Sequence, residues 1–163
     1  MKAKILFFDD IFSDAFRETL DSHELLWDDN WVKAVETSLT EGKKTAGMDF
    51  KLVKSGEIEN SLDVIEAQKP DALLLDMFWA EQAKQLHGDG SKGVEVGLGA
   101  LRRIRAVHPD LPIVAYTMKP DVTLMERAYA AGATFFAEKN PMALPEVQNA
   151  LVYILHYLLC RRS

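Results

Sequence analysis

Short apolar runs alternate with longer amphipathic stretches along this chain. Residues 4–8 (Lys-Ile-Leu-Phe-Phe) and 71–76 (Asp-Ala-Leu-Leu-Leu-Asp) are near-continuous apolar runs that end in acids, the pattern of strands buried on both faces of a parallel sheet. Further runs at 50–53, 113–117 and 134–139, rich in β-branched and aromatic residues, also read as strands. Helical patterns fall between and after them, at 62–67, 101–107, 121–131 and 144–159. Their stops are chemical: Pro70 keeps Lys69 out of the helical region, Pro109 and Pro112 bracket a turn, and Gly132 breaks the third helix.

Two segments parse less cleanly. Within 11–46, one amphipathic pattern (Ile11, Phe12, Ala15, Phe16, Leu20) is followed by a second (Trp31, Val32, Val35, Leu39), with 21–30 read as a turn and Gly42 as the stop of the second helix. This is longer than one crossover helix requires, and Trp27 and Trp31 either meet a partner or pack onto the core, the commoner fate. Residues 80–99 are polar and glycine-rich and are predicted to form a loop. Inside it, Gly88-Asp-Gly90-Ser-Lys-Gly93 formally matches the dinucleotide fingerprint, but no strand directly precedes it, so it reads as flexible chain; His87 and Asp89 are solvated side chains.

Strands alternating with helices give βαβ units with right-handed crossovers. The fold class is therefore α/β: a flavodoxin-like, doubly wound five-stranded parallel sheet of order 2-1-3-4-5 with helices on both faces. One domain is expected over 1–163, with insertions within about 11–46 and 78–97. A net charge of -6 argues against direct nucleic-acid binding, which needs a concentrated basic face. The longest apolar stretch, 150–160, carries His156 and is too short to span a bilayer, and no signal peptide is visible. The single Cys160 excludes an internal disulfide and fits a reducing cytoplasm.

In this winding order the crevice opens beyond the carboxyl ends of the first and third strands. Asp9, Asp10 and Asp76 lie there, and the fourth and fifth strands deliver Thr117 and Lys139 to the same edge. Converging carboxylates repel one another unless a hard cation sits among them, and magnesium is the natural candidate. A lysine and a hydroxyl on the opposite rim suit the remaining oxygens of a phosphoryl group. Asp76, at the end of the most apolar strand, is the nucleophile in that arrangement.

These blocks, Phe-Phe-Asp9-Asp10, Leu-Leu-Leu-Asp76-Met, Pro-Ile-Val-Ala-Tyr-Thr117 and Gly132-Ala-Thr-Phe-Phe-Ala-Glu-Lys139, resemble the response-regulator receiver domain of two-component systems in kind and order. The resemblance implies that Asp76 accepts phosphate from a histidine kinase or phosphotransfer protein. Mg2+ or Mn2+ would be held by Asp9, Asp10, Asp76 and the backbone carbonyl of Phe78. Lys139 would pair with the phosphoryl group, Thr117 would donate its hydroxyl to it, and Phe136 matches the switch aromatic. Phe78 and Lys119 flank the site, and an apolar ring at 78 would hinder attacking water and slow autodephosphorylation. The chain would then be a signalling protein, not a dedicated enzyme.

The chain departs from the family in the enlarged segment 11–46, where Asn140 separates Lys139 from Pro141, which puts the cis peptide expected there in doubt, and in the long segment after Asp76. That last segment either covers the site or is a tolerated surface insertion. A phosphohydrolase of the haloacid-dehalogenase type would need an acid at 78, where Phe stands; a receiver-like interaction module that is never phosphorylated is the remaining alternative. With no output domain after the last helix, output by protein contact is expected. The apolar character of Leu144, Val147, Leu151, Val152, Ile154, Leu155, Leu158 and Leu159 predicts an interface, with a downstream target or a homodimer, formed with the helix at 121–131 and the strand at 134–139.

Overall fold

The computed structural model describes residues 1–41 and 47–162. In its sheet β1 (Lys2–Phe8) is flanked by β2 (Asp49–Ser55) and by the central strand β3 (Ala72–Asp76), with β4 (Ile113–Thr117) and β5 (Phe135–Glu138) beyond β3. All pairs are parallel and the order is β2-β1-β3-β4-β5, the usual flavodoxin-like order expected for these units. Alternate strand residues face opposite layers. Ile5, Phe7, Leu74, Val114 and Tyr116 pack on one face against α2 (Ser22–Thr40) and α7 (Pro145–Cys160). Leu6, Phe8, Leu73, Leu75, Ile113 and Ala115 pack on the other, against α3 (Ser61–Gln68), α5 (Gly93–Val107) and α6 (Val122–Ala131). Two buried faces explain why these strands show no polar alternation.

The segment after β1 differs from its sequence reading. The stretch 21–30 is no turn: the Asp21 side chain accepts from the His23 and Glu24 N–H groups, and Glu24 accepts from the Asp21 N–H. This capping box starts α2 a full two turns before the predicted apolar stripe of Trp31, Val32, Val35 and Leu39, all of which are buried. Trp31 is accordingly a core residue, whereas Trp27 stays 43% exposed. The earlier pattern at 11–20 is not one helix but a 3-10 turn at Asp10–Phe12 and the single-turn α1 (Asp14–Arg17), because the Asp9 carboxylate takes the Ile11 N–H and tightens the chain. Gly42 lies outside the described residues.

The stretch 80–99 is not a loop either. It contains α4 (Ala80–His87), a 3-10 turn at Gly90–Lys92 and the first two turns of α5. Glycine's weak helix propensity is what misleads there. Gly88 ends α4 at φ 68, and the Asp89 carboxylate accepts from the Ser91 N–H and hydroxyl, so 88–93 is an ordered corner and not flexible chain. Gly97 is inside α5 because the helix runs against the chain leaving β3: a Cβ there would stand 2.3 Å from the Met77 carbonyl oxygen.

α7 begins with Pro145 at its first position, where no N–H is needed. Its apolar surplus is largely core: Leu151, Val152, Leu155 and Leu158 are buried, and Tyr153 and Tyr157 are the exposed rings. No helix among the described residues is long and apolar enough to cross a membrane.

Candidate functional site

The carboxyl edge of the sheet gathers the predicted acids. Asp9 and Asp10 follow β1, Asp76 is the last residue of β3, and each offers a carboxylate oxygen within 4.8 Å of the others. All are buried, as are Thr117 and Lys139. The strands' own register brings them together, since Asp76 pairs with Tyr116, next to Thr117, and Thr117 with Glu138, next to Lys139. The Lys139 N–H also donates to the Thr117 carbonyl at 2.8 Å.

Lys139 Nζ donates to Asp9 Oδ2 at 3.0 Å, so in this state the lysine is bonded to β1's acid. Asp9 Oδ1 accepts from the Ile11 N–H and Asp76 Oδ1 from the Phe78 N–H, at 3.0 and 3.1 Å. One ammonium among three carboxylates leaves excess negative charge. Burial, then the charges of Asp76 and Asp9, pushes the Asp10 carboxyl up to about 9. Burial, then Asp9, pushes Asp76 up to about 8 despite the opposing pull of Lys139. Burial alone would lower the Lys139 pKa, but the charges of Asp9 and Asp76 outweigh it and hold the ammonium above its ordinary value. These clustered, buried oxygen donors fit a hard divalent cation, which would remove the repulsion that lifts both carboxyls.

The flanking residues occupy different layers. Phe78 stands at the mouth, 41% exposed, with its ring against α5: a Cβ at Gly93 would meet it at 2.9 Å. Lys119 is exposed, and its N–H donates to Thr117 Oγ1 at 3.3 Å. Phe136, half-buried, lies on the α3/α5/α6 side of β5, and its N–H donates to the Tyr129 hydroxyl at 3.2 Å. His87 and Asp89 lie outside the cluster. Among the described residues no peptide is cis, and Lys139 leads from β5 into a 3-10 turn at Asn140–Ala143.

Three residues at this edge escaped the sequence reading. The buried Tyr116 hydroxyl donates to Asp9 Oδ2 at 2.7 Å, and burial followed by the charges of Asp9 and Asp76 keeps its pKa well above the usual phenol value. The Trp31 indole N–H donates to the Lys139 carbonyl at 2.8 Å, and the Trp79 indole N–H donates to the Asp76 carbonyl at 2.7 Å. Tyr116 carried a usable signal, a hydroxyl within an apolar strand one residue before Thr117. The two tryptophans carried none, because their partners are backbone atoms.

Neither a family model nor a curated protein matches the sequence. Solved structures do match the architecture. A chain assigned as a response regulator from Chloroflexus aurantiacus J-10-fl is 21% identical, with 99% of this chain and 100% of that chain covered and a TM-score of 0.63. A response regulator from Thermotoga maritima is 16% identical over 98% of this chain and 99% of its own, at TM-score 0.60. The fold is that of a receiver domain. The BeF3-activated receiver domain of RstA from Klebsiella pneumoniae belongs to the same group, 20% identical over 96% of this chain and 97% of its own, at TM-score 0.59. In this receiver fold the acids, Thr117 and Lys139 share the end of the sheet where ligands bind in doubly wound proteins.

Proposed function

We propose that this chain is a phosphorylation-controlled signalling receiver in a two-component system, with Asp76 as its phosphoacceptor. The observation that carries the reading is the buried trio of Asp9, Asp10 and Asp76 beside a buried lysine, an excess of negative charge that a bound divalent cation offsets and that leaves Lys139 and the cation to meet an incoming phosphoryl group. Mg2+ or Mn2+ would be held by the three carboxylates and the Phe78 carbonyl, and when bound it offsets the charge of these groups and of the incoming phosphoryl oxygens.

The donor is the phosphohistidine of a histidine kinase or phosphotransfer protein. An Asp76 carboxylate oxygen bonds to phosphorus as the phosphorus–nitrogen bond breaks, and the released imidazole nitrogen takes a proton. The Lys139 ammonium swings from Asp9 to a phosphoryl oxygen, and the Thr117 hydroxyl donates to another. The new group brings about -1.5 to -2 charges. Thr117 drawn inward vacates space for Phe136, which changes the face of α6, β5 and α7 seen by a downstream protein or a second copy. Driving such a switch from 1:99 to 99:1 takes about 5.5 kcal/mol, within reach of a few charge-assisted hydrogen bonds. The chain is then a signalling protein whose only chemistry is its own phosphorylation and dephosphorylation, and the lone Cys160 supports a cytoplasmic setting.

Acetyl phosphate with Mg2+ is expected to add one phosphoryl group at Asp76 by intact-mass and peptide analysis, and beryllofluoride to bind in its place. If acetyl phosphate, beryllofluoride and a cognate phosphohistidine all leave Asp76 unmodified, the reading fails and the chain is an unphosphorylated interaction module. The same assay reports the phosphoryl lifetime. Phe78→Ala is expected to shorten it by opening the mouth to water, and equal loss rates in wild type and variant would remove Phe78 from the account.

A further inference from the structure

The segment after β1 touches Lys139 through the Trp31 side chain. We propose that Trp31 of α2 is a positioning residue for Lys139, an inference that rests on the phosphoryl-transfer reading above.

Lys139 is held from two sides. Its N–H is fixed by the Thr117 carbonyl of β4 at 2.8 Å, and its carbonyl takes the Trp31 indole N–H at 2.8 Å together with the Met142 N–H of its own turn at 3.1 Å. The Trp31 ring then underlies the side chain, with Nζ 4.8 Å from the ring centroid. The indole cannot drift, because it is buried and packed on Phe7 and Tyr116 at centroid distances of 5.7 and 5.9 Å.

The two contacts do different work. The hydrogen bond sets where the lysine backbone sits beyond the end of β5. The ring face attracts a cation without demanding a direction, unlike the carboxylate of Asp9. A buried ammonium leaving Asp9 for a phosphoryl oxygen would otherwise lose its compensation on the way. Over the indole it keeps a partner throughout the swing. Asp9 is not orphaned by the departure, since the Tyr116 hydroxyl and the Ile11 N–H stay on its two oxygens.

Trp31→Phe removes the N–H and keeps a ring, and Trp31→Leu removes both. The rate of Asp76 phosphorylation by acetyl phosphate with Mg2+ is expected to fall roughly threefold to tenfold in the first, the value of about one hydrogen bond, and further in the second. The readout that separates positioning from bulk packing is a double-mutant cycle. In a Lys139→Met background, Trp31→Phe should change the residual rate by less than about twofold. Equal rates for wild type and Trp31→Phe overturn the proposal, and so does the same loss in both backgrounds. A wild type that takes no phosphoryl group at all overturns the proposed function, and this inference with it. A measurement without substitution stands beside these: the assigned Trp31 indole N–H resonance of the native protein should shift when beryllofluoride and Mg2+ are added, and an unmoved resonance counts against the coupling even if the variants fail to fold.

Discussion

Asp76→Asn is expected to abolish phosphoryl incorporation and, near pH 9, to make the metal-free protein more stable. Asparagine keeps the size of the side chain and an oxygen for the Phe78 N–H, but it has no carboxylate to attack phosphorus. It also removes one of three like charges from a buried cluster in which Lys139 is the neighbouring cation. Asp76 is pushed up to about 8, first by burial and then by Asp9, and its own charge helps push Asp10 up to about 9. Near pH 9, where both are partly or wholly ionised, losing that repulsion should stabilise the fold by roughly 1–3 kcal/mol. For a domain of this size that is a rise of roughly 2–10 °C in melting temperature. Intact-mass analysis after acetyl phosphate and a thermal melt check the two halves. A variant that is phosphorylated as well as wild type removes Asp76 from the acceptor role, and one that melts lower shows that the cluster is not under electrostatic strain.

The second expectation concerns pH. Asp10 and Asp76 have folded-state pKa values of about 9 and about 8, above the ordinary 3.8 that they regain on unfolding. The folded protein therefore holds these protons more tightly than the unfolded chain does. The stability that this lends is complete below about pH 4 and is lost as the pH rises through about 8 to 9, each group contributing at most about 1.4 kcal/mol per pH unit in between. Lys139 does not reverse the trend, because its value is raised and its contribution persists across that range. The metal-free protein should melt progressively lower from about pH 6 to about pH 9, and Mg2+ should raise the melting temperature more at the upper end, where fewer protons must be displaced. Melts at several pH values with Mg2+ or with a chelator measure both slopes. A Mg2+ shift that is the same at every pH would falsify the assignment of the raised carboxyls to the metal site.

Much of this was legible in the chain because strand ends are set by where apolar runs stop. Leu73, Leu74 and Leu75 can sit only between two buried layers, so Asp76 must emerge at an edge, and the same argument places Asp9 and Asp10 after β1. Parallel winding then does the rest, since strands that all run the same way end on one edge of the sheet. Phe136 was legible as a position on β5, but its hydrogen bond to Tyr129 belongs to the packing of α6.

Other features depend on contacts that the apolar pattern does not display, some local and some from elsewhere in the sequence. The glycines of 88–97 look like breaks when read along the chain, yet Gly97 is there because the Met77 carbonyl leaves no room for a Cβ, and helix geometry prevails over propensity. The acids of 21–30 look like a turn until Asp21 and Glu24 are seen to cap each other's backbone. Trp31 looked like surface or core bulk and Trp79 carried no reading, and their roles come from single N–H groups aimed at the Lys139 and Asp76 carbonyls, contacts spanning 108 and 3 residues.

The sequence by itself thus determined a five-stranded parallel sheet and the acids at its carboxyl edge, because apolar run length and strand–helix alternation are local properties, while the order was expected as the usual one for this architecture. Only the tertiary structure decided how the edge is held. It seats Lys139 on Asp9 over the Trp31 ring, with Tyr116 on the same oxygen, through contacts between chain segments that no periodicity connects.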